Sequence, residues 1–212
     1  MTIDLAGEQV ILDPSGALFW KRKKALLVAD VHLGKITHFR KNGIPVPREP
    51  ILDFYRKMES LKQLYPIEKL YILGDLFHSS LNREWTIFEQ WSKNQKCSMT
   101  LISGNHDILP SQAYANTPLE VVESLILSPF HLTHEPETHS KFTICGHIHP
   151  GILLRGKGRQ SIKVRCFFSK PNQLILPAFG TFTGLHLMPI EEEDRVYILG
   201  ENEVLAYRNS TG

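Results

Sequence analysis

Cysteine is scarce and scattered. Cys97, Cys145 and Cys166 are the three in the chain, and no two form a Cys-x-x-Cys pair. This argues against a structural zinc knuckle or a thioredoxin-like redox motif, and an odd, sparse count suits a reducing compartment. Long apolar runs are also missing; none approaches the ~18 residues a membrane-spanning helix needs. The first ten residues carry Asp4 and Glu8 and lack a basic start followed by an apolar stretch, so no signal peptide is expected. The expectation is a cytoplasmic protein with no membrane partner. Neither charge dominates: 24 Lys and Arg stand against 22 Asp and Glu, for a net charge of +2. That balance neither demands nor excludes nucleic acid, because a basic groove can sit within a near-neutral total. No repeat, low-complexity tract or biased linker divides the 212 residues, so one domain over 1–212 is expected.

What is present is an ordinary globular composition, 42% apolar and 22% charged. Short apolar runs at Val10–Leu12 and Ala17–Trp20 around Asp13-Pro14-Ser15-Gly16 predict a hairpin. Ala25–Ala29, Lys69–Leu73 and Ser98–Ile102 read as strands, the first continuous enough to be buried on both faces. Between them, Pro50–Leu64 has helical periodicity, with Ile51, Leu52, Phe54, Tyr55, Met58, Leu61 and Leu64 on one broad stripe. Arg83–Asn94 is a second predicted helix, with Asn82 as N-cap and Trp85, Phe88 and Trp91 turned inward. Two prolines and a glycine make Asn42–Pro47 irregular. After residue 119 strands dominate: 120–122, 125–127, 130–133, 142–145, 152–154, 161–168, 174–176, 195–199 and 204–207, with a hairpin loop at Gly156-Lys157-Gly158. Two packed sheets with flanking helices are the economical architecture.

Five polar blocks are set along this framework, several at strand ends: Asp30-Val31-His32, Gly74-Asp75, Gly104-Asn105-His106-Asp107, His134, and Gly146-His147-Ile148-His149. They supply carboxylate, amide and imidazole donors, the side chains that hold transition metals. In an extended segment Asp30 and His32 would point the same way while Val31 faces the core. Glycine lets the backbone at Asp75 turn and approach an ion, and a carboxylate there can bridge two metals. Asn105 offers a neutral oxygen. His106 is expected to face the substrate, with Asp107 accepting a hydrogen bond from its ring. His147 and His149 can project to one side. Among three nearby histidines His134 is preferred as a ligand over His131 and His139, because it follows a strand. His38, His78 and His186 could sit at the mouth of the site, though each alone is most often ordinary, and Cys145 reads as a small buried hydrophobe. Any one block alone is unremarkable; the set, in order and mostly after strands, reads as a two-metal hydrolytic centre.

The set resembles the calcineurin-like metallophosphoesterase superfamily, whose pattern is Asp-x-His, Gly-Asp, Gly-Asn-His-Asp/Glu, His and Gly-His-x-His. More narrowly, Ala29-Asp30-Val31-His32-Leu33-Gly34-Lys35, Arg40–Pro47, His134-Glu135-Pro136, Gly146–Pro150 and Leu176–Gly180 resemble the PdeM-like group of ligase-associated DNA damage response endonucleases. The resemblance implies an α+β fold, a four-layer α/β/β/α sandwich of two mixed sheets flanked by helices. It implies that Asp30, His32 and His149 hold one metal, that Asn105, His134 and His147 hold a second, and that Asp75 bridges them. His106 would be the catalytic imidazole, supported by Asp107. Manganese is the first choice of metal, while the ligand chemistry also permits iron, zinc, nickel or cobalt. The implied partners are DNA and, from the narrower group, a repair helicase, a DNA ligase and a nuclease.

The implied activity is hydrolysis of phosphodiester bonds by a metal-activated hydroxide, as a DNA endonuclease in repair. Lys21–Lys24, Lys35, Arg40, Lys41 and Arg48 form one basic cluster around the first motif, and Lys157, Arg159, Lys163 and Arg165 a second; either could contact phosphates. The same centre would serve a small-molecule phosphodiesterase or nucleotide pyrophosphatase, with Asn42–Pro47 and Pro177–Gly184 closing a pocket. A non-catalytic interaction scaffold is the remote third reading.

Overall fold

The computed structural model describes residues 1–41, 43, 49–78, 81–156, 158, 160–181 and 183–207. Of the irregular stretch expected at 42–47 only Gly43 lies inside them, and Arg48, Lys157 and Arg159 lie outside. Along the chain run β1 (Thr2–Leu5), β2 (Glu8–Leu12), β3 (Leu18–Trp20), β4 (Ala25–Ala29), α1 (Lys35–Lys41), a 3-10 turn (Glu49–Leu52) and α2 (Asp53–Leu64). Next come β5 (Lys69–Leu73), α3 (Arg83–Lys93), β6 (Ser98–Ile102), α4 (Ser111–Ala115), β7 (Leu119–Val122), β8 (Leu125–Leu127), β9 (Phe130–Leu132) and β10 (Phe142–Cys145). The last six strands are β11 (Pro150–Arg155), β12 (Ser161–Lys170), β13 (Gln173–Ile175), β14 (His186–Leu187), β15 (Arg195–Leu199) and β16 (Val204–Tyr207).

These form two mixed sheets, an α+β sandwich. The first has the order β1-β2-β3-β4-β5-β6-β7, antiparallel up to β4 and parallel from β4 to β7. The second has the order β14-β11-β12-β13-β10-β9-β8, with β15 on β12 and β16 on β15. Strand alternation sorts the core into layers. Leu26 and Val28, Leu70 and Ile72, and Met99 and Leu101 turn to the helices, where Phe54, Met58 and Leu61 of α2 and Trp85 and Phe88 of α3 meet them. Leu27, Tyr71, Leu73 and Ile102 turn the other way, onto Phe130, Leu132, Ile144, Phe167 and Leu174 of the second sheet. Burying each large apolar side chain contributes about 1.5–3 kcal/mol. Cys145, Cys166, Phe168 and Val196 face outward from the second sheet, where Ile148, Met188 and Ile190 cover them. Helices α2, α3 and α4 pack their apolar residues on the first sheet.

Helix α3 starts where the sequence predicts: Asn82 Oδ1 accepts a hydrogen bond from Glu84 N at 2.8 Å, a cap worth about 1 kcal/mol. The α2 stripe is narrower than its periodicity suggests. Its buried residues are Phe54, Met58 and Leu61, while Leu64 is exposed and Leu52 belongs to the preceding 3-10 turn. No described helix is long and apolar enough to cross a membrane.

What the fold positions is one edge. Strands β4, β5 and β6 are parallel and so end together, and β9 and β10 end together in the second sheet. The crevice outside the carboxyl ends of such strands is where open α/β sheets place ligands. Here it receives the loops that follow Ala29, Leu73, Ile102, Leu132 and Cys145. The chain leaving β13 closes the back of this edge: Ala178 bridges Ala29, Phe179 N donates to Ala29 O at 2.8 Å and Gly180 N to Asp30 O at 3.1 Å.

Candidate metal centre

The five polar blocks meet at that edge. Two groups of donor atoms lie within 4.8 Å of one another: Asp30, His32 and His149, and Asp30, Asp75 and His134. His149 Nε2 lies 3.3 Å from His32 Nε2 and 3.4 Å from Asp30 Oδ1. His134 Nε2 lies 3.1 Å from Asn105 Oδ1, 3.1 Å from His147 Nδ1 and 3.5 Å from Asp75 Oδ1. Asp75 stands between the two clusters, with its other oxygen, Oδ2, 3.9 Å from His32 Nε2. All seven residues proposed as ligands thus belong to one constellation. Asp30, His32, Asp75 and His134 are buried, and Asn105, His147 and His149 line the open side.

The donor chemistry calls for cations. A neutral imidazole has one N–H and one lone pair. His134 Nδ1 faces the Leu73 carbonyl at 3.0 Å and must donate to it, so its Nε2 carries the lone pair. That acceptor lies within reach of an amide oxygen and a second imidazole nitrogen, a group of donor atoms able to hold one cation. His32 Nε2 and His149 Nε2, with the Asp30 carboxylate beside them, form a second such group. Burial holds the His32 imidazole down at about 2, with Lys35 and three neighbouring histidines adding to the effect, so it is neutral and free to ligate. Asp30 and Asp75, 0% and 2% exposed, have only histidines as ion-pair partners among the described residues. Buried carboxylates left in that condition are costly, and divalent ions would relieve the cost. The side chains present therefore fit a pair of divalent cations.

The backbone reaches this geometry by a route the alternation argument misses. Asp30 and His32 are not extended; each has a φ of 53°. Asp75, His147 and His149 are also left-handed, so among the described residues five of the seven non-glycine residues with positive φ are in the donor set. Such residues are uncommon, with Asp and His enriched among them. Val31, between two of them, is buried in the helix-side core as expected.

Motif glycines make room for ligands of other motifs. A Cβ at Gly74 would lie 2.0 Å from His134 Nδ1, and one at Gly104 would lie 2.4 Å from Asp75 Oδ1. Loop-to-loop hydrogen bonds then lock the set: His106 N donates to Asp75 Oδ1 at 3.0 Å and His147 N to Asp30 Oδ2 at 2.9 Å.

The two residues expected to be catalytic part company. The His106 ring stands on the rim, 5.9 Å from the His32 ring and 4.1 Å from the His78 ring, centroid to centroid. Asp107 does not take the ring-orienting place expected of it. Its Oδ1 accepts from Leu76 N at 2.9 Å and Phe77 N at 3.2 Å, and its Oδ2 from Gly104 N at 2.9 Å, so it staples the Gly-Asp loop to the Gly-Asn-His-Asp loop. Burial pushes its carboxyl up to about 6 in spite of those bonds.

His78, one of the three histidines allowed a place at the mouth of the site, also packs against His32 at 5.3 Å. Glu84 was missed altogether. It is buried, and its two oxygens accept from Gly34 N at 2.8 Å and Thr37 N at 3.0 Å, holding the chain just beyond His32. His131, the rejected competitor, pairs instead with Glu137 at 3.0 Å and stacks on His139. Lys21–Lys24 joins β3 to β4 and so lies at the opposite end of β4 from Asp30, about 15 Å away along the strand, with Lys24 paired to Glu68. It cannot serve as a basic cluster around the first motif. Arg165 also leaves its cluster: it is partly buried, and its Nη1 donates to Ala178 O at 3.0 Å. Lys35 does stay at the centre, half-buried in the field of Asp30 and Asp75.

Among solved structures, the Pseudomonas putida nuclease MPE superposes with a TM-score of 0.84 and 30% sequence identity, covering 98% of this chain and 99% of that one. A protein of unknown function from Aquifex aeolicus, AQ665, gives a TM-score of 0.44 at 17% identity, over 59% of this chain and 78% of that one. No protein-family model and no curated protein matches the chain.

Proposed function

This chain belongs to the same family as the Pseudomonas putida nuclease MPE, and from that footing we propose that it is a two-metal phosphodiesterase that cuts DNA, acting as one domain. The observation that carries the reading is the convergence of donor atoms: His32 Nε2 and His149 Nε2 lie 3.3 Å apart, His134 Nε2 and His147 Nδ1 3.1 Å apart, and the buried Asp75 carboxylate stands between the pairs. Asp30, His32 and His149 would hold one ion, Asn105, His134 and His147 the other, and Asp75 would touch both. Bound there, two divalent cations supply Lewis acidity toward phosphoryl oxygens and lower the pKa of water.

The chain's own residues do the rest. Asp75 and Asp30 fix the spacing of the two donor clusters and, through His106 N and His147 N, the loops that carry their neighbours. His106, on the open rim, is placed to give a proton to the departing oxygen, help worth ~10²–10⁴ in rate. The likeness of the motifs to repair endonucleases supports a place in DNA repair, and it supports manganese as the first metal to try.

The test is a substrate panel under Mn²⁺, Fe²⁺, Zn²⁺, Ni²⁺ and Co²⁺, with chelator controls. It includes single-stranded, nicked and closed circular DNA, cyclic nucleotides and a chromogenic bis-phosphodiester. Metal-dependent cutting of circular DNA is the expected result, since a circle reports internal cleavage. Hydrolysis of the chromogenic diester or a cyclic nucleotide with no DNA cut under any metal would transfer the assignment to a small-molecule phosphodiesterase. No hydrolysis with both ions bound would leave a scaffold.

A further inference from the structure

The second of the two basic stretches lies directly after the last ligand motif. Residues 150–165 contain Arg155, Lys157, Arg159, Lys163 and Arg165 and no acidic residue, so with a total of +2 the rest of the chain is net −3. This segment starts at the residue after His149. Strand β11 pairs with the first five residues of β12, Gly151 with Arg165, Leu153 with Lys163 and Arg155 with Ser161. Strands β13 and β15 pair only with residues 166–170 of β12 among the described residues. A two-stranded ribbon therefore leaves the second sheet directly from the metal centre.

The two faces of the ribbon differ. Paired residues share a face, and successive residues alternate. Ile152, Leu154 and Val164 join the outer core of the second sheet. The opposite face carries Leu153 and Lys163 side by side, then Arg155, with Leu187 of β14 beside Gly151. All four are exposed: Leu153 to 36% and Leu187 to 38%, with Lys163 and Arg155 open to solvent. Arg155 lies six residues beyond His149, about 20 Å along an extended strand. Leu187 lies nearest the centre, Leu153 and Lys163 sit at one level beyond it and Arg155 follows, a narrow track whose paired residues include no acid.

We propose that this face is the track for a single nucleic-acid strand passing through the metal centre, with Lys163 and Arg155 on its phosphates and Leu153 and Leu187 against unpaired bases. The proposal rests on the reading of the centre as one that cuts DNA, and it adds where the strand lies. A polyanion seated at His149 must continue past it, and this ribbon offers it cations at a distance of a few nucleotides. The exposed leucines favour single strands, because apolar contact with a base face requires that the base be out of a duplex stack.

The test is binding of the full, Mn²⁺-loaded chain to fluorescent phosphorothioate oligothymidine, which keeps its charge and resists cutting, followed by anisotropy across a salt series. For a strand of about 20 nucleotides, Arg155→Ala/Lys163→Ala should weaken binding about tenfold at low salt and flatten the log–log salt slope by about 1.4, at roughly 0.7 per lost phosphate contact. For a dinucleotide, too short to extend from the centre to either cation, parent and variant should differ by less than twofold. Leu153→Ser/Leu187→Ser should weaken the long single strand and leave a matched duplex within twofold. Equal affinity and slope on the long strand would overturn the track. So would an equal loss on both lengths, which would mean that the charges act on the centre through space. An equal loss on the duplex would overturn the single-strand assignment. Failure of the parent to cut DNA, with ribbon-dependent binding intact, would count against the catalytic reading and leave the track standing.

Discussion

Gly74→Ala isolates the contact on which one half of the metal centre depends. Two separable effects follow from the structure. Gly74 has a φ of +77°, and alanine in that region costs roughly 1–2 kcal/mol. The added Cβ also falls 2.0 Å from His134 Nδ1 and 2.4 Å from its Cγ, so the ring must move. It cannot move freely, because Nδ1–H donates to the Leu73 carbonyl, the residue next door. Breaking that buried bond costs about a further 1–3 kcal/mol. Gly7→Ala is the matched control. It too has a positive φ, +82°, but nothing lies within 4 Å of its Cβ position, so it carries the backbone term alone. Denaturant unfolding in chelator should show Gly7→Ala down by about 1–2 kcal/mol and Gly74→Ala down by about 2–5 kcal/mol. With His134 displaced, metal titration should show one of the two ions weakened about 10–100-fold, the usual effect of disturbing a ligand's orientation. Gly7→Ala should bind both as the parent does. If Gly74→Ala lost no more stability than Gly7→Ala and kept both ions at parental affinity, the glycine would not be what seats His134, and the tautomer argument built on the Leu73 carbonyl would fall with it.

Three further outcomes are expected. His106→Ala should retain two ions per chain by elemental analysis while turnover on DNA drops by ~10²–10⁴; parental turnover would remove His106 from the proton transfer. Glu84→Ala leaves Gly34 N and Thr37 N without their buried acceptor, so the ion nearest His32 should weaken by about tenfold while the ion at His134 is spared. Glu84→Gln, keeping one acceptor, should fall between, and a two-site metal titration decides. Asp107 makes the metal-free protein respond to pH. Its folded carboxyl titrates near about 6, above the unfolded value of 3.8, so between those values the folded chain binds a proton that the unfolded chain does not. Stability relative to Asp107→Asn should therefore rise as pH falls from 7 to 4, by at most about 3 kcal/mol. A flat difference in unfolding free energy across that range would show that Asp107 is not buried as described.

The framework of the molecule was legible because alternation and strand length are local signals. Ala25–Ala29 reads as doubly buried, and all five of its residues are buried. The convergence of five separated blocks was legible for a related reason: parallel strands that end together bring the residues after them to one edge. What was hidden is non-local. The short α1 and α4, of seven and five residues, carry too few turns to show a stripe, and β14 is two residues long. The distance of Lys21–Lys24 from Asp30 was implicit in the strand Ala25–Ala29 between them, but nothing in Arg165 says that a carbonyl 13 residues on claims its guanidinium. Asp107 looked like a partner for the histidine beside it, yet its hydrogen-bond partners include amides 30 and 31 residues distant. Glu84 could be read only as a first-turn acid of α3, a helix-dipole effect. Its two bonds to the His32 loop are invisible without the fold.

The left-handed residues show why the donor set behaves as a unit. Asp30, His32, Asp75, His147 and His149 each hold a backbone conformation costing on the order of 1 kcal/mol, and such strain persists only where the surroundings over-determine it. Here the surroundings are the other loops. Asp30 N donates to Gly74 O at 3.2 Å, His32 N to Asp75 O at 2.9 Å and Leu33 N to Leu76 O at 2.9 Å, so the first and second motifs run as a short extra ladder beyond the sheet. Gly146 N donates to His134 O at 2.9 Å, tying the fourth block to the fifth, and His147 N returns to the Asp30 carboxylate. Each loop is braced by one that carries a different ligand. Bonds among the loops thus brace Asp30, His32, Asp75, His134 and His147 against one another, and a substitution in one loop is felt as a loss of donor geometry in its neighbour.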